Sequence, residues 1–197
     1  MNFHSLKFLI LSDLYRITSK ARVLTLLRYI LAGKQYKYIF WMRVCDYCYN
    51  RVILRYSIFP ITRVILNHYV YKFGISISHR VKIGSGFYIG HFGGIVISPN
   101  VTIGKNCNIS QGVTIGNVNR GVNKGVPVLG NNVYIGPGAK IIGNIVIGDN
   151  VAIGSNCVVT KSMPNNSVVV GVPGKVISDK GSTGYINRID YDDKINY

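Results

Sequence analysis

One apolar position recurs every six residues between residues 75 and 160. A continuous strand repeats every two residues and a helix every 3.6, so this spacing favours coils built from three short strands. We therefore predict a triangular solenoid with stacked coils. Ile fills the third place in eleven of twelve hexads, which read ISISHR, VKIGSG, FYIGHF, IVISPN, VTIGKN, CNISQG, VTIGNV, VYIGPG, AKIIGN, IVIGDN, VAIGSN and CVVTKS.

The recurrent Ile and the residues around it predict the interior of this solenoid. A Gly usually follows the Ile, and we expect it to turn the corner with positive φ. Smaller residues four places after an Ile share the interior, as Cys107, Val113 and Cys157 do. An ordinary β-sandwich is the alternative, and hexads that stay in phase across two interruptions disfavour it. The interior column comprises Ile83, Ile103, Ile115, Ile135, Ile147 and Ile153.

The repeat is interrupted at residues 91–94 and 117–132. The first interruption, HFGG, adds two residues, and the second is polar and rich in Gly. Insertions in a solenoid protrude and commonly carry the binding function, so we expect the chemistry there. After Thr160, a turn with Pro and a short strand close the end of the solenoid, which spans residues 74–178. Residues 179–197 are predicted to be a polar, loose tail.

Residues 1–73 predict helices. Leu6, Leu9, Ile10, Leu14 and Ile17 form an amphipathic face. A second helix is expected after a capping Ser19, with its end at Gly33. A third is predicted from about residue 36 to residue 58, before Pro60, and a fourth from residue 62 to residue 71.

Basic residues dominate the chain and concentrate in the helical part. Lys and Arg number 23 against seven Asp and no Glu; residues 1–80 hold 13 and 2 (net +11) and residues 81–197 hold 10 and 5 (net +5). Tyr and Arg together on helices suit the headgroup zone of an anionic membrane. An oligomerisation cap with aromatic core residues is the alternative. Nucleic acid is disfavoured because no recognised module appears.

Neither a long apolar run nor a signal-peptide pattern is found, so we expect a cytoplasmic protein, peripheral at most to the inner face of the plasma membrane. Cys45 and Cys48 form CDYC, but no second pair or nearby His completes a metal site. Three His from neighbouring copies would be needed for a carbonic anhydrase, and the repeat holds only His79 and His91. We predict structural cysteines and no metal.

The stretches HFGGIVISPNVTIGKNCNISQGVTIG and VYIGPGAKIIGNIVIGDNVAIGSNCVVTKSMPNNSVVVGVPGKVI closely resemble the left-handed β-helix acyltransferases with hexapeptide repeats. The serine acetyltransferase branch and its relatives in polysaccharide and capsule clusters are the most similar. The resemblance implies a left-handed parallel β-helix behind an N-terminal helical segment. It also implies a homotrimer, which can pair into a dimer of trimers, with acetyl-CoA in the groove between neighbours.

The family's catalytic His lies in the motif H-x-x-G-I-V-I, which here begins at His91. Acetyl transfer to a hydroxyl needs a base whose pKa is near 7, and imidazole meets that need. The resemblance therefore implies that His91 is the catalytic base, in a direct transfer without a covalent relay. Phe92, Asn117 and Arg120, in or beside the two interruptions, are the candidate substrate-binding residues.

The resemblance also implies the acetyl-CoA site. Pro137 stands where the family's backbone faces the pantetheine arm, and Gly136 and Gly138 keep that approach open. Ser155 matches the next such place one coil further on. Three polar residues match positions near the nucleotide end, where an ammonium suits phosphate: Thr160, Lys161 and Lys175, with Lys140 as a weaker candidate.

Two departures from the family bear on the acceptor. Serine acetyltransferases carry Asp immediately before the catalytic His and again fifteen residues before it, where this chain has Gly90 and Ser76. Without these carboxylates the ammonium of serine lacks its partner. We therefore expect O-acetylation of a sugar hydroxyl in a surface polysaccharide or a precursor, which can be lipid-linked. Serine O-acetylation is the alternative, and a non-catalytic scaffold is a remote one.

Overall fold

The computed structural model describes residues 2–195, with a helical region followed by a β-solenoid. The helical region begins the chain and packs on the first coil of the solenoid. No helix among these residues is long and apolar enough to cross a bilayer. The helices are α1 (Phe3–Thr18), α2 (Val23–Ala32), α3 (Lys34–Tyr49), α4 (Val52–Ser57) and α5 (Phe59–Phe73).

Three helix boundaries differ from the prediction. Ser19 ends α1 in the left-handed region (φ 58°) with its N–H bonded to the carbonyl of Tyr15, so its predicted role as a cap of α2 is wrong. The predicted third helix breaks after Tyr49, where the side chain of Asn50 bonds the carbonyl of Asp46. Helix α5 already begins at Phe59, because Pro60 is tolerated in a first turn that needs no N–H donor.

The solenoid has three sheets, one for each side of the prism. Sheet A is β1-β4-β7-β10-β13, sheet B is β2-β5-β8-β11, and sheet C is β3-β6-β9-β12-β14-β15. All neighbours are parallel except β14 and β15. The predicted parallel β-helix with N-terminal helices is confirmed. The strands are β1 (Ile75–Ile77), β2 (Lys82–Ile83), β3 (Tyr88–Ile89), β4 (Ile95–Ile97), β5 (Thr102–Ile103), β6 (Asn108–Ile109), β7 (Thr114–Gly116), β8 (Val128–Leu129), β9 (Tyr134–Ile135), β10 (Lys140–Ile142), β11 (Val146–Ile147), β12 (Ala152–Ile153), β13 (Val158–Val159), β14 (Val168–Val170) and β15 (Lys175–Ser178).

The interior follows the predicted column. All six Ile of the column are buried, and Cys107, Val113 and Cys157 are fully buried beside them. The predicted reason for the Gly after each Ile is wrong, because Gly104 and its equivalents do not have positive φ. A Cβ on Gly104 would lie 2.5 Å from the carbonyl oxygen of Gly130 in the next coil. Close stacking of the coils therefore requires most of these glycines, among them Gly84, Gly104 and Gly136.

The second interruption is shorter than predicted. Strand β8 already belongs to the prism, and Leu129, only 2% exposed, takes the place of the recurrent Ile. It pairs with Ile103 on one side and Ile147 on the other. The loop therefore covers residues 117–127, and residues 128–132 are the last five places of a hexad, begun by Pro127, in which Leu replaces Ile.

The C-terminal tail is packed and not loose as predicted; its residues 196 and 197 lie outside the described range. Tyr191 and Ile195 are buried against Leu11 and Tyr15 of α1. The hydroxyl of Tyr191 lies 3.0 Å from that of Ser85 in the first coil. The tail is polar in composition, but it contains two apolar residues four positions apart. Their burial holds the tail against α1.

A buried ion pair joins the helical region to the solenoid. Arg43 of α3 contacts Asp13 of α1 at 2.9 Å, and the two side chains are 6% and 0% exposed. Arg43 also donates to the carbonyls of Ile83 and Gly84 at 2.6 Å, and Asp13 accepts from the N–H of Phe87 at 2.7 Å. Removing one partner of such a pair costs about 3–5 kcal/mol.

Candidate active site

His91 lies at the edge where the chain passes from sheet C to sheet A, which we call the C–A edge. It follows β3 and opens the four-residue interruption, in which Gly93 and Gly94 have positive φ. Its side chain is exposed. Within residues 2–195 its imidazole has no hydrogen-bond partner, so neither nitrogen is committed to the fold.

Small residues continue the C–A edge through the coils beyond His91. The N–H of Gly112 bonds the carbonyl of Gly93 at 2.8 Å, and the N–H of Gly138 bonds the carbonyl of Gln111 at 2.9 Å. A Cβ on Gly112 would lie 3.3 Å from the Cα of Gly138. Gly112 and Gly138 have no side chain of their own at this edge, so an extended ligand can approach their backbone, although the side chain of Asn156 lies beside Gly138.

The structure brings most of the residues predicted to bind acetyl-CoA to this edge. Gly136, Pro137 and Gly138 turn one corner of it, and Ser155 turns the next. Ser155 is exposed, and its N–H has no acceptor in the described part of the chain. Lys175 pairs with Val170 at the end of sheet C beside the same edge.

The other residues predicted to bind acetyl-CoA lie away from this edge. Thr160 and Lys161 follow β13 and are exposed at the opposite end of sheet A, at the edge between sheets A and B, which we call the A–B edge. The ammonium of Lys140 donates to the carbonyl of Gly112 and, at 3.1 Å, to the hydroxyl of Thr114. Lys140 thus joins neighbouring coils on the surface of sheet A, and its ammonium is already bound.

The helical region supports the His91 loop at two points. The side chain of Gln35 in α3 donates to the carbonyl of Gly90 at 2.8 Å. The ring of Phe92, 40% exposed, lies 5.2 Å from that of Phe73 at the end of α5. Gln35 was not among the predicted site residues. No pattern marks it, because the bond joins residues 55 apart in two regions of different periodicity.

Asn117 and Arg120, which are predicted to bind the acetyl acceptor, belong to the loop of residues 117–127. Both are exposed on the A–B edge. Val118 and Gly125 close the loop with a pair of backbone hydrogen bonds of 3.0 and 2.9 Å. Asn117 and Arg120 therefore do not meet His91 of the same chain, which lies at the other end of sheet A.

His79, the other histidine of the repeat, is 7% exposed and packs between the rings of Tyr49 and Phe59. Burial, with Arg63 and Arg80 nearby, lowers its pKa to about 4, so it is neutral at physiological pH. The four cysteines are buried as free thiols, and burial raises the pKa of Cys107 to about 12. No group of three potential metal ligands occurs in residues 2–195.

Parts of this chain are similar in sequence to known transferases. Residues 127–161 match the model of the bacterial transferase hexapeptide (six repeats). The serine acetyltransferase of Staphylococcus aureus is 46% identical over 108 residues, which are 55% of this chain and 51% of that protein. The serine acetyltransferase of Synechococcus elongatus is 35% identical over 108 residues, 55% of this chain and 44% of that protein.

Solved structures give the same assignment over more of the chain. Serine acetyltransferase from Brucella abortus in complex with coenzyme A aligns with a TM-score of 0.71 and 28% identity, covering 91% of this chain and 69% of that one. The enzyme from Neisseria gonorrhoeae in complex with serine aligns with a TM-score of 0.72 and 27% identity, covering 89% and 70%. This chain spans about half the length of the curated relatives it matches. In its repeat, its β-helix and its sequence, the chain is similar to hexapeptide-repeat transferases, among them serine acetyltransferases.

Proposed function

We propose that this protein is an acetyl-CoA-dependent O-acetyltransferase in which His91 is the general base. One observation carries the proposal: an exposed imidazole without a hydrogen-bond partner in residues 2–195 lies on the same edge as a path of small residues, Gly112, Gly138 and Ser155. The path suits a thin pantetheine arm, and its end beside Lys175 suits phosphate. The names of the relatives support acetyl transfer.

The residues of this chain have distinct roles in the proposed reaction. Acetyl-CoA supplies the thioester, whose carbonyl carbon the acceptor oxygen attacks and whose C–S bond breaks to release the thiol. His91 takes the proton of the acceptor hydroxyl and returns a proton to the leaving sulfur. A backbone N–H of the loop holds the developing oxyanion. The N–H of Ser155 is available for a pantetheine carbonyl.

The proposed assembly is a trimer that joins the two edges of neighbouring copies. If the A–B edge of one copy adjoins the C–A edge of the next, Arg120 and Asn117 reach a His91 that they cannot reach within one chain. The same contact brings Thr160 and Lys161 to the donor groove. The separation of these residues from His91 in the single chain supports this arrangement.

Two acceptors are candidates. The names of the relatives favour serine. The residues of this chain favour a sugar hydroxyl of a surface polysaccharide or its precursor, because Gly90 and Ser76 replace the two family carboxylates. None of the seven Asp lies on the C–A edge. The ammonium of serine therefore has no partner there, and we propose the sugar.

Transfer from labelled acetyl-CoA to a panel of sugars, glycans and serine tests both parts of the proposal. We expect transfer to a sugar, and a loss of roughly 100-fold or more in kcat for His91→Asn with acetyl-CoA affinity and folding retained. Full activity of His91→Asn would exclude the base. Faster transfer to serine than to every sugar would exclude the sugar acceptor.

Gly90→Asp restores one family carboxylate and sharpens the choice of acceptor. A Cβ at residue 90 would meet Tyr88 at 3.5 Å, an ordinary contact, so a side chain can begin there without a clash. We expect the variant to gain serine transfer over the wild type, because the ammonium gains a partner. Unchanged serine transfer in a folded, active variant would contradict this account of the acceptor.

The surface of the helical region supports contact with an anionic membrane that carries a lipid-linked acceptor. Leu24, Ile53, Tyr56 and Tyr71 are each at least 80% exposed. They lie among Lys and Arg in a segment of net charge +11 (residues 1–80, 13 bases and 2 acids). We expect flotation with phosphatidylserine vesicles and less with phosphatidylcholine vesicles. A second copy of the chain on this surface would instead give assembly without vesicle binding.

A further inference from the structure

A cavity lies on sheet C, beside the His91 loop and apart from the path proposed for acetyl-CoA. Its volume is about 360 Å³, within the range of small-molecule sites. Helix α1 and the packed C-terminal tail close it from two sides. The cavity reaches Gly90, the residue before His91. Its lining includes Arg16, Tyr88, Gly90, Ser110, Tyr134 and Tyr185.

The cavity contains a buried cation without a counterion. Arg16 is 5% exposed; its guanidinium donates to the carbonyl of Asn187 and to the side chain of Asn108. Its Nε has no partner in residues 2–195, and no carboxylate there forms an ion pair with it. Burial lowers the pKa of Arg16. Because buried charges are normally paired, the cavity lacks an anion.

The rest of the lining suits a hydroxylated ring. The rings of Tyr134 and Tyr185 stack with centroids 4.6 Å apart, and the guanidinium of Arg16 lies 6.0 Å from the ring centre of Tyr88. Within the described chain, the hydroxyls of Tyr88, Tyr134 and Ser110 have no hydrogen-bond partner. Aromatic faces beside a few free polar groups are typical of a specific small-molecule site.

We propose that this cavity binds an acidic sugar unit of the acceptor, with its carboxylate or phosphate against Arg16 and its ring among the tyrosines. The proposal rests on the proposed acetyltransferase function and names its substrate class. Since the cavity reaches Gly90, a unit held there brings a nearby hydroxyl to His91. The carboxylate of serine also fits Arg16, but the lining has no carboxylate for its ammonium. The net charge of +16 attracts an anionic acceptor.

Calorimetric titration with glucuronate, glucose 6-phosphate, glucose and serine tests the proposal. We expect either acidic sugar to bind roughly tenfold to hundredfold more tightly than glucose. The two acidic probes distinguish a carboxylate from a phosphate. Arg16→Gln should abolish the preference. Arg80→Gln, which makes the same charge change at an exposed residue outside the cavity, should keep it.

Tyr134→Phe removes only a hydroxyl and keeps the test valid if Arg16→Gln does not fold. We expect it to weaken binding of the acidic sugars about threefold or more. Equal binding of glucose and glucuronate, or a preference that survives in folded Arg16→Gln, would overturn the proposal. Acidic-sugar binding without any acetyl transfer would instead contradict the proposed function and leave the cavity assignment standing.

Discussion

The repeat is interrupted at both edges of sheet A, and the two interruptions are supported in different ways. At the C–A edge, Gln35 and Phe73 of the helical region hold the four-residue loop, and stacked glycines continue the edge. At the A–B edge, the eleven residues 117–127 are closed mainly by their own backbone, and the exposed side chain of Arg120 forms no hydrogen bond or ion pair within residues 2–195.

The two loops therefore suit different tasks: one holds a side chain in place, and the other extends beyond the surface of its own chain. A base must be held within hydrogen-bond distance of its substrate, so the loop with His91 is short and supported from a second part of the molecule. A residue that serves a neighbouring copy must extend beyond its own surface. The A–B loop has the length and exposure for that purpose. Under the proposed function, this comparison favours a base in one chain and an Arg120 that acts in a neighbouring chain.

After the loss of the base itself, the largest expected effect comes from Arg120→Ala. If Arg120 binds the acceptor at the His91 of a neighbour, its loss removes a charged hydrogen bond and lowers kcat/KM roughly 10- to 100-fold. Steady-state kinetics with the preferred acceptor measure it. Lys124→Ala, at another exposed cation of the same loop, is the matched control and should stay close to wild type.

Mixed assemblies show whether Arg120 acts in a neighbouring copy. Alone, His91→Asn is expected to be nearly inactive and Arg120→Ala to keep about a tenth of the wild-type activity or less. Refolded together, they form some interfaces where an intact His91 faces an intact Arg120, and part of the activity returns. If Arg120 served its own chain, both defects would persist in every mixture.

Ser155 tests the donor path along the C–A edge. Ser155→Phe places a ring on the bare backbone and should raise the KM for acetyl-CoA about tenfold, with little change in stability at an exposed residue. Ser155→Ala retains the N–H and should behave like wild type. Unaltered acetyl-CoA kinetics in Ser155→Phe would remove the donor from this edge.

The interior of the solenoid could be predicted because one requirement repeats at every coil. A buried apolar residue at a fixed period leaves the same signal each time, and Ile103 or Ile147 can be placed without knowing its neighbours. Strand β8 was not predicted, because its hexad has Pro127 and Leu129 where other hexads have Val and Ile. Leu129 nevertheless fills the same interior space. The volume of the side chain in the interior column, and not the residue type, decides whether a segment belongs to the solenoid.

The parts that could not be predicted depend on contacts between distant segments. The tail appeared loose because its composition is polar, yet Tyr191 packs on α1 and bonds to the first coil. His91 could be placed by its motif, whereas its support by Gln35 could not. The corner glycines were predicted for the wrong reason, because close approach between coils is invisible in one chain segment. Local periodicity does not record such tertiary contacts.

Gln35 provides the smallest and most specific test of the supported edge. Gln35→Glu keeps the size of the side chain but removes its N–H, so the bond to the carbonyl of Gly90 is lost and the base is held less firmly. We expect kcat to fall about three- to tenfold with the KM for acetyl-CoA and the melting temperature nearly unchanged. Lys34→Ala, one residue earlier on an exposed position of the same helix, should alter neither constant. A wild-type kcat in Gln35→Glu would mean that the loop holds His91 without help from the helical region, and the contrast between the two edges would then reduce to loop length alone.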